Sequence, residues 1–183
     1  MKKIRAMIAG LFKAGGASAK RPEVEPPIDI NKPVENPALV AAIDRLASDY
    51  SVAAKDNVLA ELNRAVYLVA IFTDEMHTTE PDEKGQVTIQ KDSLIKVLNT
   101  SDEAGNTYLP LFTDWQAIGL YIDKPVNTLV MPASDAWSWV MNMGEYHGAV
   151  INPARNALPL SKAQIQFLLE QIEPNNSLQG RRP

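Results

Sequence analysis

The stretch Val66–Phe72 limits the possible folds more than any other part of this chain. It reads Val-Tyr-Leu-Val-Ala-Ile-Phe, seven apolar residues rich in β-branched and aromatic side chains, closed by Thr73-Asp74. A strand with one wet face alternates; an unbroken apolar run of this length fits a strand covered on both faces. The sequence before it supplies covering helices. Asn36-Pro37 sets an N-cap residue before proline at the first helical position, and Leu39, Val40, Ile43 and Leu46 follow on one face. Ala53–Arg64 repeats the pattern, with Val58, Leu59 and Leu62 inward.

The sequence after it alternates strands and helices. Strands are expected at Gln86–Gln90 and Leu94–Leu98, and a hairpin connection at Thr100–Asn106 leads into Tyr108–Phe112. Pro110 removes a ladder donor, so that strand is expected at an edge or at a bulge. Thr113-Asp114-Trp115-Gln116 reads as a capping box opening a helix to Tyr121. Asn127–Met131 reads as a strand, Ser134 as the cap of a helix running to Met143 and ended by Gly144. Gly148–Ile151, an Asn152-Pro153 turn and Leu158–Leu160 come next, and Ser161-Lys162-Ala163-Gln164 is a second capping box for the last helix. The expected fold is α+β: a single compact domain over residues 36–174, with a mixed sheet of about five to six strands packed with helices. Residues 1–35 read as a leader and Pro-rich linker, and residues 175–183 as a polar tail.

Composition removes several kinds of chemistry. The chain has no cysteine, which excludes disulfides, thiolate nucleophiles and Cys-based metal sites. Its two histidines, His77 and His147, are too few for a three-histidine site. No Walker A, G-x-G-x-x-G or H-E-x-x-H pattern occurs, so no cofactor and no metal is expected. The net charge of −4 hides an uneven distribution. Residues 1–21 carry Lys2, Lys3, Arg5, Lys13, Lys20 and Arg21 with no acid, whereas residues 22–180 hold 10 basic and all 22 acidic residues, a net of −12. An acidic body repels phosphates, so nucleic acid is not expected as a partner.

The leader carries Ile4, Met7, Ile8, Leu11 and Phe12 at the spacing of one helical stripe, with Lys2, Lys3, Arg5 and Lys13 off it. Three readings stay open: a basic amphipathic helix in weak, salt-sensitive contact with an anionic membrane or a partner, a secretory signal cut near Ala17-Ser18-Ala19, and a frayed end with accidental periodicity. Within the domain, Asp135–Met143 is the most informative segment. Trp139, Met143, Ala136, Val140, Trp137 and Met141 span an arc of about 200° on a helix, roughly twice what one-sided packing needs. Either the helix is wedged between two layers or one flank is an exposed interface, since Trp and Met serve both ends. The candidate interaction surface is therefore Trp137, Trp139 and Met143, with neighbouring Tyr146, and Arg155 in the Asn152–Asn156 turn. Glu145 and His147 form a conceivable acid–base pair, but no nucleophile motif accompanies them. His77, in Asp74-Glu75-Met76-His77, sits among charges that solvation alone explains.

Several segments in order resemble the N-terminal domain of the SseB family, named for enhanced serine sensitivity in bacteria. They are Asn36-Pro37-Ala38-Leu39, Leu62 through Ile71, Tyr108-Leu109-Pro110-Leu111-Phe112-Thr113-Asp114, Gly148-Ala149-Val150-Ile151-Asn152-Pro153 and Leu158-Pro159-Leu160-Ser161. The resemblance covers about Asn36–Ile172. It implies a mostly cytoplasmic bacterial protein of poorly defined role and without established catalytic residues; the basic leader stripe adds, as the alternative location, the surface of the inner membrane. Family members often carry a second, C-terminal domain, which this chain is expected to lack. The combined expectation is a non-enzymatic module that binds another protein, with a membrane-surface adaptor as the alternative and an enzyme acting through Glu145 or His147 as the third reading.

Overall fold

The computed structural model describes residues 32–75, 77, 79–80 and 94–177. The leader stripe with its basic residues, the strand expected at Gln86–Gln90 and the chain beyond Ser177 lie outside the described residues. The order is α1 (Pro37–Leu46), α2 (Val52–Arg64), β1 (Val66–Glu75), β2 (Leu94–Val97), β3 (Thr100–Ser101), β4 (Thr107–Leu111), α3 (Trp115–Tyr121), β5 (Asn127–Pro132), α4 (Ala133–Asn142), β6 (Tyr146–Ile151), β7 (Leu158–Ser161) and α5 (Lys162–Ser177).

The fold class is α+β, as the element order implied. The strands form two sheets, where one mixed sheet was expected. An antiparallel sheet has the order β2-β1-β5, and a second has the order β3-β4-β6-β7 with one parallel pairing, β4 to β6. They meet at a single antiparallel bridge, where Leu68 and Phe112 exchange backbone hydrogen bonds of 2.9 and 3.0 Å. Strand counting in sequence cannot reveal such a seam, because it depends on which residues pair.

β1 is covered on both faces, as its composition demands. Tyr67, Val69 and Ile71 point into the main core with α1, α2, α4 and α5. Leu68 and Ala70 point the other way, into a second core with Phe112, Ala117 and Ile118 of the α3 layer. Tyr67 through Ala70 are all essentially inaccessible to solvent. Burial pushes the Tyr67 phenol well above its ordinary range, and its hydroxyl donates to the Leu62 carbonyl at 2.9 Å.

Of the two places expected for Pro110, an edge or a bulge, the edge is excluded, because β4 is an interior strand by sheet order. The local pairing explains how it is accommodated. The Phe112 N–H donates to Leu68 and the Leu111 carbonyl accepts from Asn152, so even-numbered β4 residues face the β3–β1 side. β3 ends its pairing at Tyr108 and β1 engages only Phe112, so Pro110 falls in the gap between them. An irregularity in register between Thr107 and Tyr108 lies nearby.

Three capping expectations resolve differently. Ser161 and Gln164 do form a reciprocal capping box: the Ser161 N–H donates to Gln164 Oε1 at 2.8 Å, and the Gln164 N–H to Ser161 Oγ at 3.4 Å. Ser134 does not cap α4. The helix begins at Ala133, two residues before the expected Asp135, behind Pro132, and Ser134 lies in its first turn. Thr113 does not cap α3 either; Asp114 does, accepting from the Ala117 N–H at 2.7 Å. α5 runs on to Ser177, past the expected start of the tail.

Candidate functional site

α4 is the wedge allowed by its wide apolar arc. It packs against β1, β5 and β6 on one side and α2 and α5 on the other. Trp137 is fully buried, its ring 5.3 Å from that of Tyr67 at 58°, and its indole N–H donates to Asn63 Oδ1 at 3.0 Å. Asn63 in turn donates to the Leu168 carbonyl at 3.0 Å, tying α2, α4 and α5 together. Tyr146 is buried too, with its hydroxyl donating to Asn99 Oδ1 at 2.8 Å. Burial, assisted by the Glu145 charge, raises its pKa far out of the working range. Trp137 and Tyr146 are therefore core residues and leave the candidate interaction surface: a helix between two layers turns most of its arc inward. Trp139 and Met143 are half-buried and packed against the main core. Arg155 lies 3.9 Å from Asp44 of α1, and the neighbouring Asn156 amide also bonds Asp44. The turn is thus docked on α1, and its cation already has a carboxylate partner.

Glu145 and His147 are both exposed, on either side of the inward Tyr146. The His147 ring lies 6.4 Å from the Tyr108 ring at 47°. His77 is exposed. Among the described residues, no three or more His, Asp or Glu side chains gather as metal ligands. A shallow groove of about 180 Å³ is lined by Glu35, Asn36, Pro37, Glu61 and Arg64 among others, and Arg64 there is paired with Glu61 at 2.8 Å.

Two surfaces expose large apolar side chains close together: Tyr50 and Val52 at the start of α2, 72% and 73% exposed, and the outer face of α3, which is the one built on a helix face. Asp114 caps this helix, and Ala117 and Ile118 anchor it on the second core. At 100° per residue, Trp115, Gly119, Gln116 and Leu120 then occupy a solvent arc of about 140°. Trp115 is 50% exposed and Leu120 56%, Gln116 and Gly119 are exposed, and none of the four is charged. A side chain added at Gly119 would meet no atom within 4 Å, so the face is open. On β5, Val130 is also exposed at 38%, on the same side of the sheet as Leu68, its partner in register. Single exposed apolar residues are ordinary; an uncharged helix face carrying Trp and Leu on an acidic domain is not.

A polar hub holds this helix in place. The buried Asn152 adopts φ +47°, accepts from the Thr113 N–H at 3.0 Å and donates to Thr113 Oγ1 at 2.9 Å. Thr113 Oγ1 donates to Asp114 Oδ2 at 2.9 Å, the carboxylate that caps α3. From the other side, Asn36 spends its amide on distant backbone and makes no cap bond to α1. It donates to the Thr113 and Val66 carbonyls at 2.7 and 2.8 Å and accepts from the Val66 N–H at 3.1 Å. Three residues far apart in sequence thus fix where α3 starts. The capping box places Trp115 in a short helix but leaves its face open; Ala117, Ile118 and Tyr121 as the inward set turn Trp115 and Leu120 outward.

A family model for the SseB protein N-terminal domain matches residues 39–166. No curated protein and no solved structure matches the chain. The family match spans most of the chain, including both sheets and α3, and the chain belongs to the SseB family through this domain. No helix among the described residues is long and apolar enough to cross a membrane.

Proposed function

We propose that this SseB-family domain is a non-enzymatic interaction module that binds a partner protein through the outer face of α3. The exposed, uncharged Trp115–Leu120 face carries the reading. Trp is the residue type most enriched at binding hot spots, and a rigid helix presents it with little entropy to lose. The polar hub behind α3 supports the same view, because it fixes the helix from three parts of the chain. The net charge of −12 over residues 22–180 favours a partner with basic residues around an apolar centre. The exposed Glu145 and His147 supply no comparable constellation.

The test is affinity capture with the full chain and with a Leu120→Asp variant, which adds charge at an exposed position and leaves the core intact. A partner retained by the wild type and lost by the variant supports the reading. Equal recovery of every bound protein by a folded variant sinks it.

A further inference from the structure

We infer that the chain's own leader is a resident occupant of the α3 face, covering Trp115 and Leu120 until a partner displaces it. This rests on α3 being the interaction surface. Three observations select the leader over other occupants. The first is chemical match: the leader stripe of Ile4, Ile8, Leu11 and Phe12 is apolar, as is the α3 face, which offers no charge to either a basic or an acidic ligand. The second is charge: residues 1–21 carry six cations and no acid, while residues 22–180 carry a net of −12. The domain therefore attracts its leader and repels a second copy of itself. The third is continuity. Val34, close to where the described chain begins, packs on the second core with Tyr121 of α3. The chain thus enters the described domain on the α3 side.

Tethering makes this contact effective although a short stripe binds weakly. The linker after the stripe has about twenty residues, so the contact is intramolecular and does not depend on protein concentration. A partner that also brings basic residues competes with it. The device is autoinhibitory: the same apolar face serves the leader at rest and the partner when engaged.

The experiment is acrylamide quenching of the full chain, with the Trp115 component taken as the difference from a Trp115→Phe variant. Ile8→Asp with Leu11→Asp breaks the leader stripe without touching the domain. The inference expects a red shift and stronger quenching of the Trp115 component in the stripe variant. It also expects wild type to move towards the variant as salt is raised, since added salt shortens the reach of the attraction. In the Trp115→Phe background the stripe substitutions should change nothing. Identical Trp115 quenching in wild type and stripe variant overturns the inference while leaving the partner reading to the Leu120→Asp capture. Two other results overturn it as well. One is protection of Trp115 that grows with protein concentration regardless of the stripe, which makes a second copy the occupant. The other is protection by the stripe only when vesicles containing anionic lipid are present, which makes the stripe a membrane contact.

Discussion

Replacing Asn152 tests how the candidate surface is built. In Asn152→Ala, the Thr113 N–H loses its acceptor at 3.0 Å and Thr113 Oγ1 loses a donor at 2.9 Å. Thr113 is fully buried, so these groups lose their protein partner, and one stranded buried donor costs about 1–3 kcal/mol. Alanine must also hold φ +47° without the local bonding that eases asparagine into the left-handed region, at roughly 1 kcal/mol. The sum is about 3 kcal/mol. Asn152→Gly loses the same bonds but not the backbone strain, so it should cost about 2 kcal/mol. The backbone bond from Asn152 to the Leu111 carbonyl survives in both. Urea unfolding should therefore rank wild type above glycine above alanine by midpoint, at similar slope. Because Thr113 Oγ1 also holds the α3 cap, amide exchange over Trp115–Tyr121 should accelerate in both variants. An alanine variant within about 0.5 kcal/mol of wild type, or one more stable than the glycine variant, would refute the reasoning.

Gly148→Ala should be the most damaging single methyl addition among the described glycines, because a Cβ there runs into the Leu160 carbonyl of the paired strand β7. About 2–3 kcal/mol of lost stability or failure to fold is expected in a urea titration, whereas Gly119→Ala should be tolerated. Ser161→Ala should cost about 1 kcal/mol by removing one half of the α5 capping box, read from the shift in thermal midpoint. The Asn106 side chain, then its backbone N–H and the Tyr108 hydroxyl, hold the Asp102 carboxyl below its ordinary value near 3.8. The folded pKa is depressed, so this hairpin contribution is present above the ordinary value and fades as pH falls through the lowered one. A carboxyl titration by NMR should find Asp102 low in wild type and restored towards 3.8 in Asn106→Ala; an unchanged titration would remove the amide as the cause.

What the sequence made legible was local. The Val66–Phe72 run announced a strand with cover above and below, and the structure places a core on each side of it. The second capping box was readable because both partners lie within four residues. The first was misassigned by one residue because Thr113 and Asp114 are both good caps. The distant Asn152, 39 residues away, bonds the Thr113 N–H and hydroxyl and holds Thr113 inward. Asn36 shows the same effect: its place before α1 was legible, but its amide bonds Val66 and Thr113 instead of the helix it precedes. The arc on α4 correctly demanded either a wedge or a sticky flank. Periodicity carries no information about what lies opposite, so it could not choose, and the burial of Trp137 beside Tyr67 settles it for the wedge. α3, at seven residues, is too short for its periodicity to stand out, so its exposed face is not legible in the sequence pattern.

The most direct test of the central claim places a photo-activated cross-linker at Gln116, the exposed neutral position between Trp115 and Leu120. A cross-linker at Glu103, on the exposed turn between β3 and β4, serves as the control. In cells, position 116 should give a discrete higher-mass adduct with a second protein, which Leu120→Asp removes and the Ile8→Asp, Leu11→Asp variant strengthens. The same adducts at the same yield from position 103, or an adduct at 116 unaffected by Leu120→Asp, would contradict a binding role for the α3 face.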